Sequence, residues 1–282
     1  MDGTFHAYRT VVLSDVHLGS SLCDIARVNA FLEGVRCEHL ILNGDIIDCW
    51  ALRRGGVWGA EHTRFIGLLL AKVRHHRTRV VYVRGNHDDV LGRLLPLALD
   101  NLSIVEEHVH TMGWRDYLVV HGDAFDAVVR HNQLTTAAGN LSYHMLMAIN
   151  SVYNWTRRLR RLRRLRRLRG LEGWSLARAI KTRLPQPRRF VARFERFTAE
   201  LAAKRGCAGI VAGHIHVPAD KEIDGVHYLN CGDWVESFTA IVEEYDGSIK
   251  LLEFNAVVPT AFPPTVSASG STVKARPEAA FA

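Results

Sequence analysis

The fold is best approached from the stretch Val80-Val81-Tyr82-Val83-Arg84-Gly85-Asn86-His87-Asp88. Its first four residues are apolar and mostly β-branched, which is typical of a buried strand. The glycine ends this run, so Asn86, His87 and Asp88 are predicted to lie at the end of a buried sheet, where open α/β sheets keep their active sites. Taken alone, the segment fits equally well a strand and a glycine turn, with Asp88 capping the next helix.

Four further predicted strands end in the same way, with a residue that can bind a metal close to a glycine. The first is followed by Asp15 and His17, which face the same side because strand side chains alternate. The other three are followed by Asp45, by His121, and by the pair His214 and His216. A single histidine at a strand end is usually a core or surface residue. Five such strand ends together predict one common site.

The residue types at these strand ends favour a two-metal site. Carboxylate, imidazole and amide ligands together suit Mn²⁺, Fe or Zn²⁺. Asp45 is the natural bridge between two ions, since a carboxylate has two oxygens. The ligand carboxylates Asp15 and Asp45 leave part of the charge of two divalent ions uncompensated, and this surplus attracts a phosphate. Two ions can clamp the attacking and leaving oxygens of a displacement and acidify a bound water.

The sequence resembles the calcineurin-like metallophosphoesterases. The resemblance rests on five motifs that occur in the family's order: Asp15-Val16-His17, Gly44-Asp45-Ile46-Ile47-Asp48, Gly85-Asn86-His87-Asp88, His121-Gly122-Asp123 and Gly213-His214-Ile215-His216. It implies an α/β (α+β) fold, a four-layer β-sandwich flanked by helices, with a helical insertion. It also implies two divalent metal ions, most simply Mn²⁺, with Fe or Zn²⁺ as alternatives.

The same resemblance assigns roles to individual residues. One metal ion takes Asp15, His17, Asp45 and His216, and the other takes Asp45, Asn86, His121 and His214. His87 contacts the phosphate or protonates the leaving oxygen, and Asp88 orients His87, since a histidine held by a carboxylate is a good general acid near neutral pH. We expect Asn86, His87 and Arg130 to contact the substrate.

Within this family the chain resembles most the UDP-2,3-diacylglucosamine hydrolases and their relatives. The segment Gly232-Asp233-Trp234-Val235-Glu236-Ser237 adds to that likeness, whereas Asp48-Cys49-Trp50 stands where Ser/Thr protein phosphatases usually have Arg-Gly. The resemblance implies cleavage of a lipid-linked nucleotide pyrophosphate at the inner membrane, although the best-known members carry Arg in place of His87. A nuclease or cyclic-nucleotide phosphodiesterase with the same metals is the alternative, followed by a non-catalytic metal-binding module.

Composition and charge bound the remainder of the chain. The 282 residues are 48% hydrophobic, which predicts one main domain over residues 1–256 with a helical insertion at about 125–200. Residues 257–282 are rich in Pro, Ala, Ser and Thr, and we expect a disordered tail. The five scattered cysteines favour reduced thiols in a cytoplasmic protein. No signal-peptide pattern or membrane-spanning apolar run is evident.

An arginine-rich run stands apart from this composition. Residues 157–169 contain nine arginines, more than the whole net charge of +7. Leucines at every third position spiral around a helix and give no clean apolar stripe. With Trp155 and Trp174 on either side, the run favours an interfacial helix on anionic lipid, which would make the protein peripheral to the membrane. Nucleic acid and solvent alone are the competing partners.

Overall fold

Strands and helices alternate along the chain, as the sequence predicts. The computed structural model describes residues 6–125 and 185–255. In chain order the elements are β1 (His6–Leu13), α1 (Ile25–Gly34), β2 (Val35–Asn43), α2 (Cys49–Arg53), α3 (Ala60–His76), β3 (Arg79–Val83), a 3₁₀ helix (Asp89–Leu94), β4 (Leu97–Leu99), β5 (Leu102–Val105), β6 (His108–Met112), β7 (Arg115–Val119), α4 (Pro185–Lys204), β8 (Gly209–Ala212), β9 (Ala219–Ile223), β10 (Val226–Asn230), β11 (Thr239–Glu243) and β12 (Ile249–Glu253).

The strands form two sheets. One has seven strands in the order β12-β11-β1-β2-β3-β5-β4, and the other has five in the order β6-β7-β8-β10-β9. Strands β1, β2, β3 and β5 are parallel, and so are β7, β8 and β10. The carboxyl ends of the central strands of each sheet therefore lie at one edge, where the predicted site residues follow them.

Three apolar layers hold the sheets and helices together. Val12 and Ile41 of the larger sheet meet Val119 and Val211 of the smaller one in a core between the sheets. The opposite face of the larger sheet is covered by α1 and α3, and that of the smaller sheet by α4 through residues such as Phe194. The resulting order of helix, sheet, sheet and helix confirms the predicted four-layer α/β sandwich.

The long buried strands and helices agree with the sequence, and the differences lie at the edges. Asp24 precedes an amphipathic repeat and caps α1, since its carboxylate accepts a hydrogen bond from the Arg27 N–H. The sequence did not predict β4, β5, β6, β9 or the short α2. These elements are short, and the exposed middle of β9, Asp220-Lys221-Glu222, has no apolar alternation to signal a strand.

Several predictions fall on residues outside those described. They are the substrate contact Arg130, the arginine-rich run 157–169 with Trp155 and Trp174, the tail 257–282, and most of the insertion at about 125–200. The last helix of that insertion is α4, which packs on β8 and β10 of the smaller sheet. None of the helices in the described part of the chain combines the length and apolar character needed to cross a membrane.

Candidate metal centre

The carboxyl ends of β1, β2, β7 and β8 bring six of the seven predicted metal ligands into two neighbouring groups. Potential ligand atoms lie within 4.8 Å of one another in each group. The first group, called site 1 below, consists of Asp15, His17 and His216, and the second, called site 2, consists of Asp45, His121 and His214. The family resemblance assigns these same residues to separate metal ions, with Asp45 shared by both; a third group, His17, Asp48 and His87, overlaps site 1.

The backbone at these positions adopts a conformation that side chains rarely favour. Five of the seven predicted ligands have positive φ angles, between 53° and 66°: Asp15, His17, Asp45, His214 and His216. A non-glycine residue in this region carries a conformational cost, and such residues cluster at functional sites. The turns after β1, β2 and β8 therefore direct the ligands into the site at the cost of local backbone strain.

Two motif glycines leave the space that the ligand side chains occupy. A Cβ atom on Gly85 would lie 2.3 Å from Asp45 Oδ1, and a Cβ atom on Gly44 would lie 2.4 Å from the His121 ring. Gly44 also has a φ angle of 78°. The glycines of the second and third motifs are thus required because the side chains of the site pack directly on their α-carbons.

Site 1 is compact. His216 Nε2 lies 3.1 Å from Asp15 Oδ1, and 3.4 Å from His17 Nε2. The second oxygen of Asp15 accepts a hydrogen bond of 3.0 Å from the backbone N–H of His214. One carboxylate oxygen and two imidazole nitrogens therefore converge on the same point.

Site 2 adjoins site 1 through Asp45. Asp45 Oδ2 lies 3.3 Å from His121 Nε2 and 3.9 Å from His17 Nε2, so this oxygen is placed between the two groups. The Nδ1 atom of His121 lies 3.0 Å from the carbonyl oxygen of Asn43, which can only accept. His121 Nδ1 therefore carries a hydrogen, and Nε2 is the ring nitrogen that faces the site and would bind a metal ion.

The unsatisfied polar atoms fit a pair of bound cations. Asn86 Oδ1 is buried and has no hydrogen-bond partner, and the buried atoms Asp15 Oδ1 and His121 Nε2 face only other candidate ligands. Buried polar atoms are rarely left in this state unless an ion or water completes them. Asn86, which belongs to neither group of three, thereby also presents a free carbonyl oxygen as the resemblance implies. The residues present fit two divalent metal ions.

The electrostatics of the site favour positive charge. Burial opposes ionisation of Asp45, but His121, His17 and His87 outweigh burial and hold its pKa well below the usual value. The pKa of Asp15 is also lowered despite burial, because His216 and His121 lie beside it. In return, these carboxylates outweigh the effect of burial on His121 and His216 and raise the pKa of each to about 10. Two buried carboxylates thus hold cationic groups, as they would hold metal ions.

His87 stands at the edge of the site, and its supporting carboxylate is Asp48. His87 Nδ1 lies 2.9 Å from Asp48 Oδ1, and His87 Nε2 lies 3.9 Å from Asp45 Oδ2. Burial disfavours the charged ring, but Asp48 and Asp45 outweigh it and raise the pKa of His87. The indole ring of Trp50 covers His87 at a centroid distance of 4.3 Å.

The predicted role of Asp88 as the orienting residue needs correction. Its carboxylate accepts hydrogen bonds from the Gly85 N–H, the Ile46 N–H and the Tyr82 hydroxyl. Both oxygens are therefore used to join the third motif to the second, and Asp48 takes the position beside His87. Asp88 immediately precedes the 3₁₀ helix, but its side chain does not cap it.

Sequence reasoning also missed the supporting roles of Asp48 and Asp233. Asp48 contacts both His17 and His87, and Asp233 Oδ2 lies 3.2 Å from His216 Nδ1. Both aspartates stand in motifs that the sequence singled out, Gly44–Asp48 and Gly232–Ser237. The available signal was a carboxylate in each motif beyond the predicted ligands, but only the folded chain shows which histidine it meets.

Comparisons with known proteins agree with this picture at the level of the family. The sequence profile described as calcineurin-like phosphoesterase matches residues 8–218. No curated protein sequence matches the chain.

Among solved structures, the chain is similar to the phosphoesterase YfcE from E. coli, with 15% identity, 87% of this chain and 99% of that chain covered, and a TM-score of 0.35. It is similar to an archaeal phosphodiesterase, with 12% identity, 86% and 98% covered, and a TM-score of 0.38. It is also similar to a Vps29 variant from Entamoeba histolytica, with 14% identity, 87% and 99% covered, and a TM-score of 0.37.

Proposed function

Because the chain belongs to the calcineurin-like phosphoesterase family and is a metal-dependent phosphoester hydrolase, we propose that sites 1 and 2 together cleave a phosphodiester or pyrophosphate bond. The observation that carries this proposal is the convergence of Asp15, His17 and His216 beside Asp45, His121 and His214. Asn86, whose buried carbonyl oxygen has no hydrogen-bond partner, would complete site 2.

Each residue has a defined part in holding the reactants. Site 1 would hold one metal ion, site 2 and Asn86 would hold the other, and Asp45 would be shared, since its Oδ2 lies between the groups. When bound, two such ions supply an activated water and neutralise charge on the phosphoryl oxygens. The protein contributes fixed ligand positions, so little reorganisation is needed during the reaction.

His87 is the residue best placed to move a proton. Its Nδ1 is held by Asp48, and its Nε2 faces the site from the side of Asp45. A carboxylate partner fixes the ring and favours the protonated form, so Nε2 can donate a proton to the leaving oxygen. Asp48 acts here as the positioning residue for His87.

For the substrate, we propose a lipid-linked nucleotide pyrophosphate such as UDP-2,3-diacylglucosamine, handled at an anionic membrane surface. The segment Gly232–Ser237, on which that resemblance partly rests, supports site 1 through Asp233. The arginine-rich run 157–169 would supply the contact with the membrane.

The decisive assay compares two substrates with and without added Mn²⁺. Purified protein is expected to hydrolyse both bis-p-nitrophenyl phosphate and UDP-2,3-diacylglucosamine in a metal-dependent manner. Asp45→Ala should lower both rates by at least about a hundredfold, since it removes the shared ligand. Asp116→Asn changes an exposed aspartate at the far end of β7 and should leave both rates unchanged.

The outcomes separate the chemistry from the substrate. Turnover of bis-p-nitrophenyl phosphate alone would overturn the lipid-linked substrate and retain the phosphodiesterase. Salt-sensitive binding of DNA or RNA without liposome binding would favour a nuclease with the same metal centre. Metal-loaded protein without turnover of any phosphoester would indicate a binding module.

A further inference from the structure

The loop between β10 and β11, residues 231–238, contacts the candidate metal centre through His216. Its Asp233 is 1% exposed, and Asp233 Oδ2 lies 3.2 Å from Nδ1 of His216. A carboxylate can only accept, so His216 Nδ1 carries a hydrogen and donates it to Asp233. This leaves His216 Nε2, 3.1 Å from Asp15 Oδ1, as the ring atom directed into site 1.

Asp233 itself is fixed by its own loop. The other oxygen, Oδ1, accepts hydrogen bonds from the backbone N–H groups of Val235 at 2.9 Å and Ser237 at 3.1 Å, and from that of Glu236. The backbone N–H of Asp233 donates to Ser237 Oγ at 2.8 Å. These contacts set the direction of the carboxylate before any ion is bound, so Asp233 is a preorganised partner of His216.

The same loop also contacts Asp15, the carboxylate ligand of site 1. The N–H of Trp234 donates to the carbonyl oxygen of Asp15 at 3.1 Å, and the Ser14 hydroxyl donates to the carbonyl oxygen of Gly232 at 3.3 Å. The Trp234 side chain is fully buried and packs against Phe31, with ring centroids 4.9 Å apart. The loop is therefore anchored in the core on one side and joined to Asp15 and His216 on the other.

Site 2 is supported by different elements. His121 is oriented by the Asn43 carbonyl oxygen at the end of β2, and Asp45 Oδ1 accepts a hydrogen bond of 2.8 Å from the His87 N–H. The groups that orient His121 and Asp45 are therefore different from the group that orients His216.

We propose that Asp233 is a positioning residue that sets the metal affinity of site 1 and not that of site 2. This inference rests on the proposed function, since it takes both sites to hold metal ions. Partners that orient a ligating histidine typically change metal affinity by about 10- to 100-fold when they are removed. The two metal ions are thus expected to bind with affinities that can be altered independently.

Asp233→Asn tests the proposal with almost no change in volume. The three backbone N–H groups keep the amide oxygen of Asn on their side, so its NH₂ group faces His216 Nδ1. Two donors cannot pair, so the form of His216 that carries its hydrogen on Nδ1 and offers Nε2 to a metal ion loses its acceptor and becomes less favourable. Calorimetric titration of the full-length protein with Zn²⁺ should show one of two sites weakened about 10- to 100-fold and the other unchanged. The ¹⁵N shifts of the zinc-loaded His216 ring should show the loss of the hydrogen bond from Nδ1 to residue 233.

Asp220→Asn is the matched control, because Asp220 accepts a hydrogen bond from His227 Nε2 at 2.8 Å on the surface of the smaller sheet. It should leave both affinities unchanged. In a His216→Ala background, Asp233→Asn should cause no further loss of zinc, whereas a purely structural role would lower both affinities or only the thermal stability.

The results distinguish this inference from the proposed function. Wild-type protein that binds fewer than two Zn²⁺ ions would overturn both. This inference alone would be overturned if the wild-type protein binds two ions and Asp233→Asn leaves both affinities unchanged. It would also be overturned if Asp233→Asn weakens both affinities equally.

Discussion

At the scale of single residues, the chemistry of the candidate site depends on which carboxylate meets which histidine. Asp48 and Asp88 both lie close to His87 along the chain or in space, yet only Asp48 is placed at hydrogen-bond distance from its ring. Burial and the charge of Asp45 raise the pKa of Asp88. The Asp88 oxygens accept hydrogen bonds from backbone N–H groups and from the Tyr82 hydroxyl. Our proposal therefore assigns proton transfer to the Asp48–His87 pair, and Asp88 has a structural role.

His87→Gln is expected to affect substrates according to their leaving groups. A p-nitrophenolate leaves without protonation, whereas an alkoxide needs a proton, so kcat should fall by about 10²- to 10⁴-fold for an alkyl phosphodiester and much less for bis-p-nitrophenyl phosphate. Steady-state kinetics on both esters checks this, and Asp48→Asn should give the same pattern more weakly. Equal losses on the two esters would mean that His87 only binds the phosphate.

At the scale of elements, strand ends and turns position the site, and helices only support the sheets. The turn after β3 brings Gly85 against Asp45 so closely that the α-carbon has no room for a side chain. Gly67 in the exposed middle of α3 shows the opposite case, since a Cβ atom there would meet nothing within 4 Å. The same residue type thus has a steric role in one element and a conformational cost in the other.

These two glycines give opposite predictions for alanine substitution. Gly85→Ala should lower the free energy of unfolding by about 1–3 kcal/mol, because Asp45 must shift, and it should also weaken metal binding. Gly67→Ala should raise the free energy of unfolding by about 0.5–1 kcal/mol and leave metal binding unchanged. Urea unfolding and zinc titration of both variants provide the measurement. Similar effects from both substitutions would contradict the close packing of Gly85 on Asp45.

At the scale of the whole molecule, the core between the sheets becomes polar at the end away from the metal centre. His110 Nε2 lies 3.0 Å from Thr10 Oγ1, whose hydroxyl donates to the buried Glu243. Burial, with the nearby charges of His39, His108 and Arg9, lowers the pKa of His110 to about 3. The two sheets therefore pack around a histidine that the folded protein keeps neutral.

Acid should consequently destabilise the sandwich through His110. His110 takes up a proton near pH 6.5 in the unfolded chain but only near pH 3 in the folded protein. The contribution of neutral His110 to the free energy of unfolding is therefore fully present above pH 6.5 and is lost as the pH falls below that value. The loss is at most about 1.4 kcal/mol per pH unit. His110→Gln keeps a donor for Thr10 and should flatten this dependence between pH 6.5 and 4 in urea unfolding. His75→Gln, at an exposed position of α3, should leave the pH dependence unchanged. Equal slopes of the free energy of unfolding against pH for the two variants would contradict the role of His110.

Much of this molecule follows from local sequence. Buried parallel strands are predicted by runs such as Val80–Val83, because such strands are apolar on both faces, and the α1 cap is predicted by Asp24 before an amphipathic repeat. The seven candidate ligands could be proposed because each follows a strand, and because the carboxyl ends of neighbouring strands meet at one sheet edge. Short and exposed elements such as β9 were missed, since they lack the periodicity of buried ones.

Only the tertiary structure decided how the carboxylates are shared among the histidines. In Gly85–Asp88 the sequence alone left Asp88 as a cap or an orienting residue, whereas the folded chain uses it to join two motifs and assigns Asp48 to His87. Likewise Asp233 lies 17 residues from His216 in the chain, and its direction is set by the loop after β10. Local sequence determines which residues follow a strand, but contacts between distant segments depend on how the two sheets pack.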